Sequence, residues 1–333
     1  MAYQNVGTPR LYINVLEYLD GLGILSGSLK SQKMHYLDPA SIHNWGGEGN
    51  IDTKYVTTSN VSIGDFFTDK SFLAILGHNF KTADAFMRVQ AFESGANPSN
   101  YSSSFPFQTL INGLNQTENT FYFEADGFTM STFDGGVIPD EMDSINFRLD
   151  GSGGSYDFPP QANSIFLGTY YDMPHSPDLN LTLSYEYDGV KTQQTKGGAT
   201  LSNASYVKPA DWGNQGAWQL GENTTNLRTG RRSWSLQFSY LNDSDVFPDN
   251  AGNSYSSGGS ADDFTTNIAT GTDFFSQVVN RTMGGHLPFI FQPDKDNNNP
   301  DQFAICRFDM DTFSYKQVAN NVYNISLKIR EVW

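Results

Sequence analysis

The chain has one cysteine, Cys306, in 333 residues. No disulfide can form within it, and a cysteine-built zinc site is excluded. Charged residues are also sparse, at 17%, where an average domain carries about 25%. Basic residues are the scarcer kind: 20 Lys and Arg stand against 36 Asp and Glu, a formal net charge of −16. Phosphate neutralisation needs a basic surface, so nucleic-acid binding is not expected. Electrostatic docking on an anionic membrane is disfavoured for the same reason. Long apolar runs are missing too. The longest, Phe72 to Leu76 and Leu287 to Phe291, fall far short of the roughly 20 residues needed to cross a bilayer as a helix. Membrane insertion is therefore not expected. The stretch Met1 to Arg10 holds no basic patch followed by an apolar one, so no signal peptide is expected and the chain reads as one made in a cytoplasm.

Catalytic signatures are absent as well. There is no Gly-x-Ser-x-Gly elbow, no Walker loop and no His-Glu-x-x-His. The five histidines, His35, His43, His78, His175 and His286, include no pair at helical metal-binding spacing. Carboxylates are plentiful, but no spacing singles out an acid–base pair for sugar hydrolysis. The expectation is a protein that is not an enzyme and carries no cofactor.

What the chain does have is aromatic surface, 14% of residues, enough to build large cores. The apolar positions recur with period two, the strand signature. In Ser233 to Tyr240 the residues Trp234, Leu236, Phe238 and Tyr240 point one way and the serines and Gln237 the other. Tyr323, Ile325, Leu327 and Ile329 repeat the pattern, as do Leu181 to Tyr187 and Ile145, Phe147 and Leu149. Phe72 to Leu76 is apolar without alternation, which marks a central strand buried on both faces. Met87, Val89 and Ala91 form a strand directly after it. Turn clusters separate the runs: Ser94 to Pro98, Gly151 to Gly154, Gly197-Gly198 and Asn250 to Asn253. One segment reads as a packed helix, near 273–283, with Thr272 as N-cap and Gly284-Gly285 as terminator. A weaker helix is expected at Asp38 to His43 or within the first thirty residues. The fold class is therefore mostly β. An N-terminal segment spans 1–50, a β-sandwich 51–175, and a C-terminal β-barrel or sandwich with one packed helix 176–333.

Several residues carry candidate chemistry. His78, in Gly77-His-Asn79, reads either as a ligand or general base, or as a polar group satisfying the backbone where a core strand ends; the second is preferred. Cys306 lies among apolar neighbours and reads as a buried, inert thiol. Asp294 and Asp296 offer hard oxygen ligands for calcium. The segment is not an EF-hand, because Asn299 stands at position six and Ile305 at position twelve. A solvated turn is the simpler reading. Tyr101, Trp212 and Trp218, with Phe105, Phe107 and Tyr255, lie in turn-rich segments where exposed rings stack on sugars. The competing reading is that such rings plug the ends of the sandwich, and Trp45 is ambiguous in the same way.

Two stretches resemble tail proteins of long-tailed bacteriophages. Ser71-Phe-Leu-Ala-Ile-Leu-Gly-His-Asn-Phe80 with Ala85-Phe-Met-Arg-Val-Gln90 is similar to a strand that ends in Gly-His-Asn and leads into a discoidin-like jelly roll. Ser164-Ile-Phe-Leu-Gly-Thr169 fits a later strand of that domain. Gly230-Arg-Arg-Ser-Trp234, the helix ending at Gly285, Leu287-Pro-Phe-Ile-Phe-Gln-Pro-Asp294 and Leu327-Lys-Ile-Arg-Glu-Val332 resemble the order of elements in the C-terminal domain of tail structural proteins. The resemblance implies a virion protein assembled in the host cytoplasm. It implies a homo-oligomeric ring near the distal tail or baseplate, with other tail proteins as partners and no catalysis. A host-surface glycan-binding module of a tail protein is the alternative, and a glycan-degrading enzyme is third. An acidic surface could also line a tail tube, repelling DNA so that it slides.

Overall fold

The structure is a computed structural model. It describes residues 5–38, 41–45, 52–59, 61–92, 108–111, 113–117, 120–135, 138, 142–151, 154–186, 190–204, 211–212, 215–216, 231–248, 268–269, 271–299 and 302–332. Antiparallel strands dominate, as the alternation predicts. One 11-stranded sheet runs in the order Thr182–Glu186, Arg231–Asn242, Val322–Glu331, Ala304–Phe308, Phe289–Gln292, Arg10–Asn14, Ser164–Asp172, Ser71–His78, Gly127–Phe133, Gln108–Ile111, with Tyr315–Ala319 paired beside Val322–Glu331. A six-stranded sheet contains Leu25–Ser26, Asp52–Thr58, Ser144–Gly151, Ala85–Phe92, Thr120–Phe123 and Gly113–Thr117.

The unbroken apolar run explains how these sheets stack. Every residue of Ser71–His78 is buried. Leu73 and Ile75 enter a core shared with Val56, Met87, Val89, Ile145 and Phe147 of the six-stranded sheet. Phe72, Ala74 and Leu76 enter a second core with Trp234, Leu236, Phe291, Ile305 and Leu327. The neighbouring strand splits the same way, with Ile165 and Leu167 in the first core and Phe166 in the second. A strand between two cores must be apolar on both faces, whereas the outer strand Ala85–Phe92 alternates buried and half-buried residues. Each fully buried large side chain contributes about 1.5–3 kcal/mol.

The long sheet also folds over on itself. Phe128, on Gly127–Phe133, and Phe303, just before Ala304–Phe308, have ring centroids 6.4 Å apart. Four strands separate theirs in the sheet order, which in a flat sheet would put them roughly 24 Å apart.

The expected divisions at 50/51 and 175/176 do not separate sheets. Arg10–Asn14 pairs with Ser164–Asp172 on one side and Phe289–Gln292 on the other. It stitches the two halves of the chain into one sheet. Gly168 permits this. A Cβ there would run into the carbonyl oxygen of Ile13.

Three local expectations need correction. The packed helix expected near 273–283 is present, but as a six-residue π-helix, Phe275–Asn280, and without the expected cap. Asp273 Oδ1, rather than Thr272, accepts the Ser276 N–H at 2.9 Å. Asn280 Nδ2 is drawn out to Tyr18 Oη and the Ile268 carbonyl, each at 3.0 Å. Such side-chain anchors compete with a regular helical ladder. Gly284 and Gly285, both at positive φ, end the segment as expected. Tyr240 does not face the core: a register shift between Phe238 and Leu241 puts it at φ 60 and 77% exposed, and Leu241 is buried instead. Tyr185 lies 41% exposed because its strand is the sheet edge. Of the two places offered for a weaker helix, the first thirty residues hold it, as Val15–Gly21 and the start of Ser28–Ser31, while His43 belongs to the short strand His43–Asn44.

Candidate functional site

Two features present chemistry to solvent. The first lies where the central strand Ser71–His78 ends. Gly77, at φ 61, turns the chain there. His78 is fully buried. Its Nδ1 accepts the Phe80 N–H at 3.3 Å, which places the proton on Nε2 for donation to Thr129 Oγ1 at 2.7 Å. The ring stacks on Phe80 with centroids 5.0 Å apart. Burial pushes the imidazole down to about 3, so His78 is neutral at physiological pH. It satisfies the strand corner rather than acting as a base.

Asn79 closes that corner. Its Nδ2 donates to the Pro159 carbonyl at 3.0 Å and its Oδ1 accepts the Gln161 N–H at 2.7 Å. A cavity of about 380 Å³ opens beside it, lined by His78, Asn79, Thr82, Asp126, Phe158, Pro159 and Gln161. Thr82 fixes Asp126. Its N–H donates to Oδ1 at 3.1 Å, and its hydroxyl donates to Oδ2. Gln161 is held through Nε2 by Asn44 Oδ1 at 2.9 Å. The Phe158 ring stands 55% exposed. Sequence reasoning singled out Gly77-His-Asn79 but missed Thr82, Asp126, Phe158 and Gln161. The one available signal was Phe158-Pro159-Pro160, an aromatic in a segment that cannot continue a strand.

The second feature is a hairpin. Val190–Gln194 pairs with Thr200–Ala204 and with no other described strand. Gly198 at φ 83, and Thr195 Oγ1 accepting the Ala199 N–H at 3.1 Å, form its tip. Residues 192–202 are exposed throughout. The preceding strand, Thr182–Glu186, is the edge of the long sheet among the described residues, with Thr182, Ser184 and Tyr185 exposed and Leu183 and Glu186 half-buried.

Most of the stacking residues proposed from sequence are not among those described. Tyr101 and Trp218, like Phe105, Phe107 and Tyr255, lie outside the described residues. Trp212 belongs to the short strand Asp211–Trp212, paired with Gln215–Gly216. Trp45 is fully buried, edge-on to Phe80 with centroids 5.6 Å apart, so it is core. Asp294 is buried and its Oδ1 accepts the Asp296 N–H at 3.2 Å, while Asp296 Oδ1 lies 3.4 Å from Lys295 Nζ. These contacts are those of a turn. Among the described residues no group of three ligating side chains could hold a metal ion. Cys306 is buried, and burial raises its thiol well above the ordinary range, as its apolar setting predicts. A partly buried cluster went unnoticed in the sequence: Asp20 takes His35 Nε2 at 2.9 Å, Lys30 Nζ at 2.5 Å and the Tyr36 hydroxyl.

Among the described residues no helix is long and apolar enough to cross a membrane. Comparison with known proteins gives no match to a family model, a curated protein or a solved structure.

Proposed function

We propose that this chain is a structural subunit of a bacteriophage tail that assembles with copies of itself into a ring near the distal end. The resemblance of residues 71–90, 164–169 and 230–332 to tail proteins supplies the class. In this reading the sandwich around the first core is the discoidin-like jelly roll, and the sheet folded around the second core is the C-terminal module. Other tail proteins are its further partners, and its place is the virion.

The observation that carries the assembly reading is the hairpin 190–204. An isolated two-stranded ribbon is marginal in water, and this one shares no described strand with the body. It holds two of the chain's 20 positive charges, Lys191 and Lys196, and none of its 36 negative ones. A cationic arm on a strongly anionic protein complements a second copy of the same protein. The open edge Thr182–Glu186 beside it can be completed by strand addition. Negative-stain images of the purified full chain test this reading. Closed rings of one diameter are expected; a field of isolated single subunits counts against it.

A second reading, a module that grips host-surface glycan, is favoured by the Phe158-rimmed cavity.

A further inference from the structure

The cavity beside His78 has no part in the assembly reading. Its walls are nonetheless specific. Thr82 occupies one acceptor position on each Asp126 oxygen. A carboxylate has about four such positions, so both oxygens can still accept. Asn79 spends its side chain on the backbone of the facing segment, and Asn44 orients Gln161. These groups are held in place before any ligand arrives, which cuts the ordering cost of binding. At the mouth, the half-exposed Phe158 and the adjacent Pro159 give a flat apolar face. The volume of about 380 Å³ falls within the roughly 300–1,000 Å³ of small-molecule sites.

The geometry points to a binding site for one neutral sugar ring, between the Phe158 face and the Asp126 carboxylate. Two adjacent hydroxyls of a pyranose donate to the two carboxylate oxygens, a charge-assisted bidentate contact. The C–H face of the same ring packs on Phe158. Among the described residues no lysine or arginine lines the cavity, and phosphate-bearing or acidic sugars meet Asp126 as a like charge. The site binds and does not cleave. Glycoside hydrolysis requires two carboxyl groups flanking the bond, and among the described residues of the lining Asp126 is the one carboxylate. His78 has both ring nitrogens engaged inside the wall. The site is distinct in sequence from Tyr101, Trp212 and Trp218, so it gives the glycan reading a different address. It stands or falls apart from ring assembly, because its test reads binding and not mass.

The test uses saturation-transfer NMR on the full chain with three probes: the methyl β-glycosides of glucose, galactose and N-acetylglucosamine. Choline serves as a cationic control, since Asp126 and Phe158 together could also hold an ammonium. At least one glycoside is expected to bind, with transfer strongest to its ring C–H protons. Phe158→Ala, an exposed position, is expected to weaken that binding at least about fivefold, the loss of one aromatic contact, with circular dichroism and thermal midpoint unchanged. Asp126→Asn is expected to weaken it as well. Absence of transfer to all three glycosides, binding unchanged in Phe158→Ala, or binding of choline alone would overturn the assignment.

Discussion

Glu331, in the last strand, accepts the backbone N–H of Arg232 at 2.7 Å and the Nη2 of the same residue at 3.1 Å. Both side chains are buried, and the Arg232 Nη2 also donates to the Phe303 carbonyl at 3.2 Å. One guanidinium thus ties together three segments of the second core. Removing one partner of a buried pair leaves the other charge uncompensated, at a cost of about 3–5 kcal/mol. Glu331→Ala is expected to lose that much in urea unfolding. A double replacement, Arg232→Met with Glu331→Leu, is expected to recover most of it. A loss below about 1 kcal/mol would mean that the pair is not buried as described.

The acidic limb of the pH–stability curve is expected to carry a signature of Glu17. Burial pushes its carboxyl up to about 7 from an ordinary 4.5, although Arg307 and Asn14 pull it down. The folded state therefore keeps a proton that the unfolded chain releases. The stabilisation is complete below pH 4.5 and is lost as pH rises through 7. Glu17→Gln is expected to be more stable than the parent at pH 8, by on the order of 2 kcal/mol, with the advantage gone by pH 4.5. Thermal midpoints measured at both pH values decide it; a parent that is the more stable at pH 8 contradicts the sign.

Gly168 lets the strand Arg10–Asn14 sit between the two halves of the chain. A Cβ at 168 meets the Ile13 carbonyl, which is backbone and cannot rotate away. Gly168→Ala is expected to cost about 1–3 kcal/mol and to raise amide exchange along residues 10–14 first. Unchanged exchange there would show that the strand does not pack this closely.

The strands with one wet face were legible in the sequence. Ile325, Leu327 and Ile329 alternate with Ser326 and Lys328 because water lies on one side and a core on the other. Ser71–His78 was legible as doubly buried for the converse reason. The role of Arg10–Asn14 was not. Five residues carry no mark of partners at Gly168 and Phe289, which are set by the whole topology. The shift that exposes Tyr240 was hidden because a bulge leaves the alternation intact on paper and moves it in space. At the cavity, Gly77-His-Asn79 stood out locally. Thr82 and Asp126 meet only because the turn after one strand abuts the start of another, 44 residues on. The aromatic criterion looked for rings in turns and found Trp45, which is buried, while Phe158 is the ring exposed at the cavity mouth.

The hairpin is expected to matter for assembly and not for the fold. Replacing residues 190–204 by a short Gly-Ser link removes strands that, among the described residues, pair only with each other. The thermal midpoint of the body is expected to move by less than about 1 °C, within the roughly 1–2 °C that 1 kcal/mol produces in a chain of this size. Association is expected to be lost. A shortened chain that assembles as the parent does would remove the hairpin from the interface.

The most direct measurement is the mass of the full chain in solution, by light scattering over a range of concentrations. The ring reading expects one discrete mass, a whole multiple of 37.0 kDa, that falls on added salt as the cationic arm is screened from its acidic neighbour. A mass of a single 37.0 kDa chain at every concentration and at low salt would contradict it.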